Sequence, residues 1–331
     1  MTSETPQQRH VRRLVGGVSA NTRRTLYALL GAAALILFGD LIHPGFANWS
    51  SLRAMLVVAS FVGFVAAGQM FVVLIGGIDL SMPWVLNAGA IVLVTTSMGK
   101  SSRLWVGVAA ALGVGALVGL ANGLGVAWLG VPAVVMTLGM DGVLQGLSVG
   151  LTQGLTCQSC SAYAPAPLQR IVMGTLVGIP TELLLWGGVT VAVSVLLTMT
   201  TFGRRVFAVG NSARAAFLAG VGVRQVTVAL YTLSGLFAAF AGVALVGYGG
   251  QVSLGLGDPY LFESIAAVVV GGVAILGGRG QYLGVVAGSI TLVAIVTLLQ
   301  AEQIPEYGRN IIYGLVILAI LLAYGRERAR D

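Results

Sequence analysis

Apolar stretches near twenty residues long, each stopped by a short polar or Gly/Pro-marked break, recur along almost the whole chain. They do not alternate with period two, so they predict membrane helices and not barrel strands. Ten runs are read: Leu26–Ile42, Arg53–Ile75, Pro83–Met98, Leu104–Trp128, Ala133–Leu151, Glu182–Met199, Val226–Tyr248, Leu261–Leu276, Tyr282–Leu299 and Asn310–Tyr324. Turn clusters such as His43-Pro44-Gly45 and Gly130-Val131-Pro132 punctuate them. The second and third runs are split by Gly76-Gly77 and read either as two spans or as broken helices meeting inside the membrane. The longest polar interruption is Thr152–Thr181, in which Ile171–Ile179 is apolar enough to dip into the interface.

Composition agrees with the pattern. The 331 residues are 57% hydrophobic and 9% charged, with a mean hydropathy of +0.94. A soluble globular protein carries about 25% charged residues. The expected fold is an all-α polytopic membrane protein of about ten transmembrane helices. Its 48 glycines let helices approach closely, so a tight bundle is expected. The expected layout is a basic tail (1–25), a membrane domain (26–325) and a short tail (326–331).

Charge sets the orientation. With ten spans, 13 of the 18 Lys and Arg fall on one side, where both termini lie, and 5 on the other. The richer side is cytoplasmic by the positive-inside rule. Met1–Arg24 then reads as a cytoplasmic tail and not a cleaved leader. The net charge of +7 sits at helix ends, which points to membrane lipid as a partner and not to nucleic acid. Two five-span halves would be antiparallel, but no clear internal repeat is visible.

The most basic interior segment is 200–226, with Arg204, Arg205, Arg214 and Arg224 and no acid. Asn211–Gly220 has helix-forming content, with Asn211 as the expected N-cap and Gly220 as the expected C-cap. It reads either as a short surface helix that docks a soluble partner or as a loop that only sets topology. The segment 152–181 is then expected on the opposite, periplasmic side.

Few residues are candidates for chemistry. Asp79 follows Gly76-Gly77 and precedes Ser81; it is either a hinge or pathway residue at a broken helix or a cap for the next one. Asp141 and Gln145 stand at i and i+4 and share a face. With Asn122 and Gln69 they either line a polar pathway for a hydroxyl-rich solute or join helices by hydrogen bonds. Cys157 and Cys160 suit a disulfide in an oxidising compartment or two free thiols. A zinc site would need two more ligands, and the two histidines, His10 and His43, lie elsewhere, so no metal is expected. No phosphate-cradling Gly-x-x-x-x-Gly-Lys and no His-Glu-x-x-His occurs. The chain is therefore read as a conduit, with no cofactor, and not as an enzyme.

Several stretches, in order, resemble ribose-type permeases, the membrane subunits of bacterial ABC sugar importers within the branched-chain amino-acid/ribose permease superfamily. They are Gly76-Gly77-Ile78-Asp79-Leu80-Ser81, Asn122-Gly123, Pro132 with Thr137-Leu138-Gly139-Met140, Gly146-Leu147, Phe202-Gly203-Arg204-Arg205, Gly210-Asn211, Ala215-Ala216, Gly220-Val221, Ser234-Gly235, Ala241-Gly242, Ile265–Gly272 and Gly277-Gly278-Arg279-Gly280. The resemblance runs from about Ala54 to Tyr324. It implies a multi-pass protein of the bacterial inner membrane that works with a second, identical or related permease chain, cytoplasmic ATP-binding subunits and a periplasmic solute-binding protein. It also implies that 200–226 is the coupling loop, with Arg204, Arg205, Asn211, Arg214, Ala215, Ala216 and Gly220 as coupling residues. Gly76, Gly77, Asp79, Ser81, Asn122, Asp141 and Gln145 are the pathway or hinge candidates.

The chain also departs from that family. Gln145 stands where the family usually has arginine, Asp141 where it has an apolar or small residue, and Thr152–Thr181 is unlike it. The resemblance therefore does not carry ribose over as the solute. The rival readings are a branched-chain amino-acid-type ABC permease, an ion-coupled secondary transporter using Asp79 and Asp141, and a structural scaffold. The second predicts transport by this chain alone on an ion gradient; the third predicts no transport.

Overall fold

Trp49–Val73 (α2) is the axis of the protein. It follows Ala20–Ile42 (α1), and Asn48 Oδ1 caps it by accepting from Ser51 N at 2.8 Å. From Ala59 to Val73 every residue of α2 is buried, although the run is apolar all round and has no polar face to show. The computed structural model describes residues 20–154, 163–305, 307–309, 311, 312, 314 and 315. Met82–Ser97 (α3), Leu104–Ala127 (α4) and Ala133–Thr152 (α5) follow α2. Then come a short helix, Ala166–Val172 (α6), and a hairpin of Thr175–Leu176 (β1) and Ile179–Pro180 (β2), paired Thr175 with Pro180. Thr181–Met199 (α7), Thr201–Asn211 (α8) and Ala213–Leu218 (α9) lead to Val223–Gly249 (α10), Tyr260–Val270 (α11) and Tyr282–Ala301 (α12).

Among the described residues seven helices are long and apolar enough to cross a membrane: α1, α2, α4, α5, α7, α10 and α12. Three of the ten expected runs are not among them. The third run is a helix of 16 residues, and the eighth is cut to 11 residues because Gly271-Gly272 turns the chain out of the helix. The tenth run lies mostly outside the described residues. The segment 152–181 is not simply a loop: it holds α6 and the hairpin, whose residues 175–179 are exposed. Glu182 is fully buried at the start of α7.

Two packings fix the bundle. Along α2 and α10, aromatic rings meet in antiparallel order, Phe61 with Tyr248, Phe64 with Phe240 and Phe71 with Phe237, at centroid distances of 5.3, 5.0 and 5.9 Å. On the other side, α10 crosses α4 with the backbones in near contact at Gly115 and Gly235, where a Cβ on either would collide with the other's carbonyl oxygen. α12 and α7 are tied to α2 by polar contacts in the apolar interior. Tyr282 OH donates to Gly63 O at 2.8 Å and accepts from Trp186 Nε1 at 3.3 Å.

Candidate functional site

The loop from α2 to α3 is built by Gly76, which takes φ +78° and reverses the chain. Behind it the Asp79 carboxylate is fully buried. Oδ1 accepts from Ser81 N at 3.0 Å and Ser81 Oγ at 2.6 Å, and Oδ2 accepts from Ser234 Oγ on α10 at 2.7 Å. Asn122 Nδ2 on α4 donates to Ser81 Oγ at 2.9 Å. Leu80 N donates to Thr137 Oγ1 on α5 at 3.0 Å. One short loop therefore binds α4, α5 and α10 together. Carboxylate hydrogen bonds are the strong kind, and in a water-free interior they stay strong.

The cap reading of Asp79 is corrected. Ser81 occupies the N-cap position, but neither side chain accepts from a first-turn N–H of α3. Asp79 is spent instead on its neighbour and on α10. Of the other polar candidates, Asn122 does join helices. Gln69 is fully buried with neither amide atom bonded. Asp141 is half-buried and Gln145 is exposed, one turn apart on α5. Gly77 packs against Tyr231, whose buried hydroxyl has no partner.

The second part of the site lies at the other end of the same loop. Gly278 N donates to Leu74 O at 2.9 Å. Gly210, near the end of α8, fits between them so closely that a Cβ would strike Leu74 O and approach Gly278 N. Asn211 Nδ2 reaches Gly278 O at 3.5 Å. α8 buries Gly203, Val206 and Val209 and leaves Arg204 and Arg205 exposed. The expected docking helix is α9, shorter than anticipated. Its N-cap is Ser212, whose Oγ accepts from Ala215 N at 3.2 Å, because Asn211 is taken by α8. Gly220 ends the segment with φ +80°. Arg214 and Ala215 are exposed and Ala216 is buried, beside exposed Phe217 and Leu218.

Gly210, Gly278, Ser234 and Thr137 were not expected as site residues. One signal was present: Leu74-Ile75-Gly76-Gly77 and Ile275-Leu276-Gly277-Gly278 are near copies, and these two loops touch. Cys157 and Cys160 lie outside the described residues. No group of three or more His, Cys, Asp or Glu suited to a metal occurs among the described residues.

An acid buried at a helix break in a membrane bundle is a functional-site candidate by default. Residues 51–321 match the family model described as "Branched-chain amino acid transport system / permease component". The chain belongs to this permease family. It is a multi-pass inner-membrane protein. It is 32% identical over 295 residues to the fructose import permease protein FrcC of Rhizobium meliloti, covering 87% of this chain and 82% of that one. It is 31% identical over 310 residues to the autoinducer 2 import system permease protein LsrC of Escherichia coli (strain K12 / DH10B), covering 92% and 88%. LsrC of Salmonella typhimurium is 31% identical over 307 residues, covering 92% and 86%. No solved structure matches the chain.

Proposed function

We propose that this permease is the membrane subunit of a binding-protein-dependent ABC importer that brings a sugar or sugar-like solute into the cytoplasm. The observation that carries the reading is the continuous chain of contacts from α8 and α9 through Asn211, Gly278 and Leu74 to the loop that holds Asp79. A partner that pushes on α9 would act on that loop through these contacts. The solute class rests on the fructose and autoinducer 2 permeases, each similar over most of its length.

In this reading both termini and 200–226 are cytoplasmic and 152–181 is periplasmic. ATP is hydrolysed on separate ATP-binding subunits that dock at α9, where Phe217 and Leu218 expose apolar surface beside Arg214. A second permease chain completes the pathway, and a periplasmic solute-binding protein delivers the solute. Gly76, Gly77, Asp79, Ser81 and Asn122 form the hinge; Asp141 and Gln145 face the pathway.

The test is a pulldown of the tagged chain from its native host in mild detergent, with ATPase assayed on the eluate. The expected result is a co-purifying ATPase that is lost on Arg214→Glu or Gly220→Asp. An eluate without ATPase, together with solute accumulation by this chain alone in liposomes on an ion gradient, would overturn the reading.

A further inference from the structure

α7 ends at Met199, and Thr200 alone separates it from α8. Gly203 of α8 lies so close to this end that a Cβ would strike the Leu197 carbonyl. Thr200 Oγ1 accepts from Gly203 N at 3.1 Å and closes the corner. α8 therefore starts at the depth where the span α7 stops. It buries Val206 and Val209 and exposes Arg204 and Arg205, the build of a helix that lies among lipid headgroups. The span α12 begins beside it, at Tyr282.

A cavity of about 490 Å³ opens between the end of α7, the first turns of α8 and the start of α12. Small-ligand sites span roughly 300–1,000 Å³. Its apolar walls include Leu197, Phe207 and Leu283; Ser194, Thr198, Arg204 and Gln281 supply polar groups, and no acid lines it. Among the described residues the Ser194 hydroxyl, the Gln281 amide and the Arg204 guanidinium make no side-chain hydrogen bond or ion pair. A guanidinium only donates. The start of α12, which no side chain caps, adds partial positive charge to the same cavity. Its complement is an anion with an apolar part.

The sign of the charge separates the occupants. A second copy of this chain, related by a two-fold axis along the membrane normal, would meet this face at the same depth. The segment 200–226 has no acid, and the one acid of α7, Glu182, is buried at the other end, so a copy would bring arginine to arginine. Anionic lipid has the opposite charge, and basic pockets between membrane helices take such headgroups. Val191 and Val195 are exposed on the α7 face that carries Thr198, so an apolar track for acyl chains leads away from the cavity.

We propose that this cavity is a phospholipid site, in which Arg204, with Ser194 and Gln281, binds the phosphate of an anionic lipid whose acyl chains lie along α7. The lipid braces the first turn of α8, while Gly210 at the far end of the same helix sits in the junction with Leu74 and Gly278. The site goes beyond the importer reading and needs no transport.

The test is native mass spectrometry of the tagged chain with its co-purifying subunits in mild detergent, with phosphatidylglycerol and phosphatidylcholine added in equal amounts. Bound phosphatidylglycerol should exceed bound phosphatidylcholine about fivefold or more, as one arginine at a membrane surface gives. The ratio should fall towards one in Arg204→Gln and hold in Arg205→Gln, whose side chain does not line the cavity. Thr198→Trp fills the mouth with Arg204 in place and should lower the ratio as well, so it serves if Arg204→Gln does not assemble. A ratio near one in the wild type, or one lowered equally by Arg204→Gln and Arg205→Gln, overturns the site. Glycerol 1-phosphate at the lipid's concentration should leave the lipid bound; displacement would make this the site of a soluble anion and overturn the proposal. A benzophenone carried by Thr198→Cys, in a chain with Cys157→Ser and Cys160→Ser, should crosslink lipid. A crosslink to a second permease chain or to another subunit puts protein in the cavity and overturns it. A failed ATPase pulldown sinks the importer reading and leaves the lipid ratio standing.

Discussion

The Gly278 N–H donates to the Leu74 carbonyl at 2.9 Å, so the loop that ends α2 and the loop that begins α12 are joined backbone to backbone. Gly210 of α8 completes the contact, with no room for a side chain. Gly210→Ala must push α8 off this junction. The expected outcome is a loss of about 1–3 kcal/mol in stability, the usual cost of overpacking. ATP hydrolysis should then run without solute uptake. Thermal unfolding in detergent and paired ATPase and uptake assays check this.

Asp79→Ala leaves two buried hydroxyls and one backbone N–H without their acceptor. Each unsatisfied buried group costs about 1–3 kcal/mol. Ser234→Ala leaves one buried carboxylate oxygen without its donor and should cost about 1–3 kcal/mol, for one group and not three. Thermal unfolding should therefore rank the wild type first, Ser234→Ala second and Asp79→Ala last. A reversed order of the two variants would show that the carboxylate is not held by these bonds.

The Arg224 guanidinium lies 5.0 Å from the Trp128 ring centre, where the start of α10 meets the end of α4. An exposed cation–π contact of this kind is worth about 0.5–1 kcal/mol. A double-mutant cycle of Arg224→Gln and Trp128→Leu should return a coupling of that size. Stability should change little in either single variant.

Gly235→Ala is expected to separate α10 from α4 and to lower stability by about 1–3 kcal/mol. Gly113→Ala, on the same α4 helix but in open space, should leave stability unchanged or slightly raised. Comparing the two unfolding midpoints separates helix contact from helix propensity.

The helices were legible because period and length are local properties. The runs read for α1, α2, α4, α5, α7, α10 and α12 differ from the observed helices mainly at their ends. What was not legible depends on partners far along the chain. Asp79 was read from its place after Gly76-Gly77 as a hinge or pathway residue or as a cap for the next helix, yet Ser234, 155 residues away, takes its second oxygen. Asn211 was assigned as a cap, but it is the last residue of α8, and Ser212 takes the task. The eighth run looked long enough because Val273, Ala274, Ile275 and Leu276 are apolar; Gly271-Gly272 had already ended the helix. The glycine junction was missed because glycines announce close approach without saying to what.

The burial of α2 also bears on how the protein is made. Its neighbours α10, α11 and α12 leave the ribosome about 150 to 250 residues after it. At roughly 5–20 residues per second, α2 waits about ten seconds or more for them. Throughout that interval an apolar helix with an acid-bearing loop at its end must be shielded by lipid or by the insertion machinery. Truncations after α9 should therefore be degraded rapidly, and the last third of the chain governs when the first third matures.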